Sequence, residues 1–78
     1  YSFPATLGRD PSCHAAVRAP GVSRRHAEIT RINGAYYLTD LGSSNGSAVN
    51  GAEVTGAARI EDGGSIELGV TPVSVEFI

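Results

Sequence analysis

Asn33-Gly34 stands between two runs that alternate apolar and polar residues. They are Ala27-Glu28-Ile29-Thr30-Arg31-Ile32 and Ala35-Tyr36-Tyr37-Leu38-Thr39-Asp40. Asn-Gly in that setting is the strongest short-range hairpin signal, because a type I′ turn needs positive φ at both central residues. A two-residue loop also sets the register: Ile32 faces Ala35, Ile29 faces Leu38 and Ala27 faces Asp40. Ile29 and Leu38 should then share a core face with Tyr36.

The rest of the chain is broken up in the same way. Ten glycines and four prolines cut it into short pieces, and no 3.6-residue apolar period lasts three turns. Residues 5–7, 15–18, 47–49, 65–68 and 73–77 are further strand candidates. Turn clusters at 9–12, 41–46, 50–52 and 61–64 separate them. Alternation at Ile66, Leu68, Val73, Val75 and Phe77 supplies a closing pair of strands. Short strands with punctuation about every 8–12 residues indicate an all-β sandwich or barrel. No internal repeat, low-complexity tract or linker interrupts the pattern.

With 78 residues the chain is expected to be a single domain, 1–78. A chain of this size buries only about 60–65% of its unfolded surface, which excludes a two-domain enzyme with an interdomain cleft. Apolar residues make up 41% and charged residues 18%, an ordinary globular composition rather than a disordered one. No apolar run approaches the about 20 residues needed to span a bilayer, and nothing resembles a signal peptide. The chain opens at Tyr1, without an initiator Met and in strand-like sequence, so we expect a domain cut from a longer protein. Cys13 is the only cysteine. An internal disulfide and a multi-thiolate metal site are therefore excluded, and a cytoplasmic location is expected.

The net charge of −2 hides an asymmetry. All six cations are arginines. Residues 1–31 carry Arg9, Arg18, Arg24, Arg25 and Arg31 against Asp10 and Glu28, a net +3. Residues 32–78 carry Arg59 against six carboxylates, a net −5. A nucleic-acid binder would show a strongly basic domain, so no nucleic-acid partner is expected. A local arginine cluster on an acidic body suits one compact anion instead, since the planar guanidinium fork matches phosphate or carboxylate.

Three polar clusters fall in predicted loops, where β scaffolds carry their binding groups. They are Gly8-Arg9, Ser23-Arg24-Arg25-His26 and Ser43-Ser44-Asn45-Gly46. Taken singly, each is ordinary turn or cap chemistry. Together they offer guanidinium groups, hydroxyls and an amide, all donors that a phosphate dianion can use. Catalytic readings fail. His26-Ala27-Glu28 matches the H-x-E of zinc deaminases, but their P-C-x-x-C is absent. Ser23 and His26 lack a third orienting group and a G-x-S-x-G elbow. His14 and His26 with a carboxylate make a poor metal site, and His26 is expected to be structural. Gly42-x-x-x-Gly46 lacks the Gly-Lys-Ser/Thr of a nucleotide phosphate loop. No enzyme activity, metal or cofactor is expected.

One ordered set now stands out: Leu7-Gly8-Arg9, Val22-Ser23-Arg24-Arg25-His26-Ala27, Asp40-Leu41-Gly42-Ser43-Ser44-Asn45-Gly46-Ser47, and Val49-Asn50-Gly51. It continues through Asp62-Gly63-Gly64-Ser65-Ile66-Glu67-Leu68-Gly69. In order and spacing this closely resembles a forkhead-associated (FHA) domain over residues 5–69. The resemblance implies a β-sandwich of about ten to eleven short, mostly antiparallel strands. It implies a module that binds phosphothreonine-containing proteins or peptides, made by a Ser/Thr kinase, in signalling and without membrane contact. A phospho-independent interaction or assembly domain of the same fold is the alternative.

Carried over position by position, the resemblance gives phosphopeptide contacts at Arg9, Ser23, Arg24, Ser44 and Asn45. Asn45 would hold the peptide backbone. Gly8, His26, Gly46, Asn50 and Gly51 fall on positions that shape the loops. Arg25 is a poorer candidate, because adjacent side chains in extended chain point apart. Two departures stand out. Ser47 occupies a position where threonine is common in the family. The start at Tyr1 leaves little room for the family's first strand, so an incomplete edge and reduced stability are expected.

Overall fold

The computed structural model describes residues 3–74. Nine strands occur among them: β1 (Ala5–Gly8), β2 (Ala15–Ala16), β3 (Ala27–Ile32), β4 (Ala35–Asp40), β5 (Ser47–Val49), β6 (Ala52–Glu53), β7 (Ala57–Ile60), β8 (Ser65–Leu68) and β9 (Thr71–Ser74). They form a five-stranded sheet ordered β2-β1-β3-β4-β7 and a four-stranded sheet ordered β6-β5-β8-β9. Every pairing is antiparallel except that of β1 with β2. The all-β reading holds. The strand number is slightly below the ten to eleven expected.

The central hairpin follows the expected register, with Ala27, Ile29 and Ile32 opposite Asp40, Leu38 and Ala35. Its turn has φ of 51° at Asn33 and 80° at Gly34, the left-handed pair that type I′ requires. Asn50 and Gly51 repeat the device between β5 and β6, at 49° and 83°.

Leu7, Ala27, Leu38 and Ile60 of the larger sheet meet Val49, Ile66 and Leu68 of the smaller one in a single core. Val22 and Val54 close it from the loops, while Ile29 and Tyr36 pack against its edge. Leu38 and Leu68 are wholly buried, so truncating either would remove contacts that the two sheets share.

Three local expectations change. The 15–18 candidate shrinks to Ala15–Ala16, although the Val17 N–H still donates to the Gly8 carbonyl at 2.7 Å. β9 starts at Thr71, two residues before the expected 73, and takes in Pro72. Among the described strands β9 is an edge, where a missing N–H is tolerated. Val75 and Phe77 of the expected alternation lie outside the described residues. β6 and β7 had no counterpart in the sequence reading. Ala57-Ala58-Arg59 has no β-branched or aromatic residue to reveal a strand, and β6 is too short to show alternation.

The topology decides what meets at the ends. β1 and β3 are antiparallel, so the end of β1 lies beside the start of β3. β4 returns along β3 and finishes opposite Ala27. The loops after β1, before β3 and after β4 therefore share one end of the sandwich. The β8–β9 turn joins them, with the Gly69 N–H donating to the Gly46 carbonyl at 2.9 Å. Asn33-Gly34 lies at the other end.

Candidate functional site

Ser23 links all three loops. Its carbonyl accepts the Arg9 N–H at 3.0 Å, and its Oγ accepts the Ser44 N–H at 3.2 Å. The hydroxyl proton of Ser23 remains available to donate outward. Arg9, Arg24, Ser44 and Asn45 are exposed, and Ser23 is half-buried. The end therefore presents Arg9, Ser23, Arg24, Ser44 and Asn45 on three loops that are hydrogen-bonded to one another.

Gly8 permits the first contact. A Cβ there would overlap the Arg24 carbonyl oxygen and stand 2.8 Å from its carbonyl carbon. The paired backbones of 8–10 and 23–24, with the Asp10 N–H donating to the Arg24 carbonyl at 3.1 Å, leave no room for it. Gly8→Ala is expected to destabilise the fold by about 1–3 kcal/mol and to weaken ligand binding, because the strain falls on the loops that carry Arg9 and Ser23. Thermal unfolding together with a binding titration checks both effects.

His26 is wholly buried and ties the loops from beneath. Its Nδ1 accepts the Ser23 N–H at 3.0 Å, which places the ring proton on Nε2. Nε2–H then donates to the Gly46 carbonyl at 2.6 Å. The ring is thus a strut between the second and third loops. No cluster of residues able to hold a metal ion occurs among the described residues.

The third loop is built on Asp40. Its Oδ1 accepts Ser43 Oγ and Ser47 Oγ, each at 2.6 Å, and its Oδ2 accepts the N–H groups of Gly42 and Ser43 at 3.0 and 2.9 Å. Ser43 Oγ accepts the Gly46 N–H in turn. Ser47 Oγ makes the bond to Asp40, a contact that a threonine hydroxyl could also make. Asn45 Nδ2 donates to the Gly21 carbonyl at 2.9 Å, fastening the loop's tip to the segment before Ser23.

Burial pushes the Asp40 carboxyl up, but the bonds from Ser43 and Ser47 and the adjacent His26 ring outweigh it and hold the group below its ordinary 3.8. A lowered folded pKa stabilises the fold above the unfolded value, and that contribution is lost as pH falls through the folded value. The melting temperature should therefore drop below about pH 4, and Asp40→Asn should flatten that acid limb. A series of thermal scans in acid buffers measures it.

Arg24 Nη2 lies 3.4 Å from Asp10 Oδ2, an exposed ion pair at the mouth of the site. The Ser12 N–H, and then Arg24, hold the Asp10 carboxyl below its ordinary range. Cys13 is buried behind this loop as a free thiol, its Sγ–H donating to the Arg24 carbonyl at 3.3 Å. Arg25 is exposed, with no ion pair among the described residues.

Asn50 and Gly51 do not join the site. The Asn50 Oδ1 accepts the Ser65 N–H at 3.0 Å, pinning the β5–β6 turn at the opposite end of the sandwich. Asp40 stands in the third sequence cluster with no role that the resemblance assigns. An Asp followed two residues later by Gly and three later by Ser is the pattern of a side chain that caps its own turn, and it could have been found that way. Gly21 was missed too, because only its carbonyl acts.

Comparison with known proteins gives a consistent result. The model of the FHA domain matches residues 5–69. The FHA domain-containing protein FhaB of Mycobacterium tuberculosis is 31% identical over 72 residues, covering 92% of this chain and 46% of its own length. The human angiogenic factor with G patch and FHA domains 1 is 36% identical over 81 residues, covering 91% of this chain and 11% of its own. The chain thus spans about half the length of FhaB and far less of the human protein. One solved structure, from work on phosphothreonine-dependent FHA domain interactions, superposes with a TM-score of 0.88 at 33% identity, covering all of this chain and 80% of that one. The N-terminal FHA domain of S. cerevisiae Rad53p, in complex with a phosphothreonine peptide, superposes at 0.75 with 30% identity, covering 85% and 56%.

Proposed function

We propose that this chain, which belongs to the FHA domain family, binds phosphothreonine peptides and so mediates phosphorylation-dependent protein–protein interaction in signalling. The observation that carries the reading is the meeting of three donor-rich loops at Ser23. Arg9 and Arg24 supply charge and Ser23 and Ser44 supply hydroxyls, while Asn45 holds the peptide backbone. His26, Asp40, Gly8 and Gly46 fix the loops without touching ligand.

The energetics agree. A phosphothreonine carries about −1.5 to −2 charges and three strong acceptor oxygens. Charge-assisted hydrogen bonds contribute about 1.5–3 kcal/mol each. Four of them, less the ordering costs, reach roughly micromolar affinity, about −8 kcal/mol. Loops already bonded to one another lose little freedom when the ligand arrives. The phosphate group comes from a Ser/Thr kinase acting on the partner. FHA domains are binding modules, and this chain uses no catalysis, cofactor or nucleic acid. The setting is cytoplasmic, in keeping with its single free thiol. No helix among the described residues is long and apolar enough to cross a membrane.

Calorimetric titration with three versions of one peptide tests the reading. The phosphothreonine form should bind, whereas the unphosphorylated and aspartate forms should not. A carboxylate offers one charge and two oxygens to a site arranged for a dianion with three. Equal binding of all three forms would instead support a phospho-independent assembly domain.

A further inference from the structure

The outer face of the larger sheet carries two charges that the three-loop end does not use. Ala27, Leu38 and Ile60 point into the core, so their neighbours Glu28, Tyr37 and Arg59 point outward. The register sets Glu28 opposite Thr39, and places Thr30, Tyr37 and Arg59 in one row across β3, β4 and β7. Ile32 and Ala35 complete the face at the hairpin end. Thr6 is withdrawn from it, because the His14 ring bonds to its hydroxyl and its N–H.

Glu28 and Arg59 have no ion pair among the described residues. Tyr37 and Thr39 stand between them. A strand spacing of about 4.8 Å and a rise of about 3.3 Å per residue put the two charges about 12 Å apart. Ile32, at 55% exposure, is a large apolar side chain left in water on the same face. Consider a two-fold axis lying in the face that sets Glu28 on Arg59 of a second copy. Given the register, it runs between Thr30 and Tyr37 and passes close to Ile32. The one operation therefore forms two Glu28–Arg59 pairs and covers Ile32 with its own counterpart. Such an isologous contact needs a single patch on each copy.

We propose that this face is the contact between two copies of the chain, with Glu28 and Arg59 setting its geometry. The face is only three strands wide, so the dimer is weak, with half-association near about 100 µM. Partly exposed ion pairs fix the orientation more than they add affinity. The contact lies along the strands, and each copy keeps its three-loop end open. A dimer then offers two ligand ends to one partner, which raises apparent affinity without a new contact. Dimerisation itself does not depend on what those ends bind.

Sedimentation equilibrium between about 10 µM and about 1 mM protein tests it, bracketing the expected midpoint. The unaltered chain should pass from monomer to dimer. Glu28→Arg and Arg59→Glu should each weaken self-association at least about tenfold at unchanged melting temperature, since each places two like-charge pairs in the contact. Mixing the two variants should restore association to the original level, because one face then carries two arginines and the other two glutamates. A chain that stays monomeric across the range overturns the assignment and leaves the face to a different protein. A dimer indifferent to both reversals, or a mixture that stays monomeric, overturns it as well and moves the contact elsewhere.

Discussion

Arg9→Ala is expected to weaken phosphothreonine-peptide binding by about 30- to 150-fold, or about 2–3 kcal/mol. Arg9 leaves the end of β1 with its backbone N–H held by the Ser23 carbonyl. That bond does not involve the side chain, so the truncated loop should keep its path. The loss then measures one cation aimed at a dianion. Arg59→Ala is the control. Arg59 sits within β7 opposite Tyr37, on the sheet and away from the three loops, and its removal should change affinity little. Raising salt should weaken binding only moderately, because the contacts are short compared with a screening length of about 8–10 Å. Titration of both variants against one phosphopeptide decides the matter. Equal losses would mean that diffuse electrostatics, rather than a formed phosphate site, explains binding.

His26→Ala should act through the fold. The ring is 0% exposed and bridges the Ser23 N–H and the Gly46 carbonyl. Replacing it leaves a cavity and strands both backbone groups. Large buried truncations cost about 2–5 kcal/mol, and each stranded group adds about 1–3 kcal/mol before the loops relax. Taking about 3 kcal/mol as the low end, the melting temperature should fall by at least about 12 °C, at about 4–8 °C per kcal/mol for a domain this small. Binding should weaken in parallel, because Ser23 and Ser44 lose their common support. A thermal scan beside a titration separates the alternatives. Weakened binding at unchanged melting temperature would mean that the ring acts on the ligand.

How much was legible in the sequence depends on what each position asks of its residue. The central hairpin could be read to the register, because Asn33-Gly34 admits few turns and alternation admits one face. His26 could be read as structural because no partner set for catalysis or metal binding accompanied it. β7 was hidden, since Ala57, Ala58 and Arg59 include no β-branched or aromatic residue and so carry no strand pattern. Gly21 was hidden for a different reason: its carbonyl holds Asn45 only once the loops have met. Asp40 was legible, since it caps its own turn through Gly42 and Ser43. Asn50 and Gly51 show the opposite case. The turn was plain in sequence, but only the sheet order reveals that it lies at the end away from the site.

The central claim is that one end of the sandwich, where three loops meet at Ser23, receives the phosphothreonine. Amide shift mapping by NMR during titration with a phosphothreonine peptide tests it most directly. The largest changes should fall on Arg9, Ser23, Arg24, Ser44 and Asn45, with Asn33, Gly34, Asn50 and Gly51 unmoved. Changes centred on the Asn33-Gly34 end, or the same changes from the unphosphorylated peptide, would contradict it.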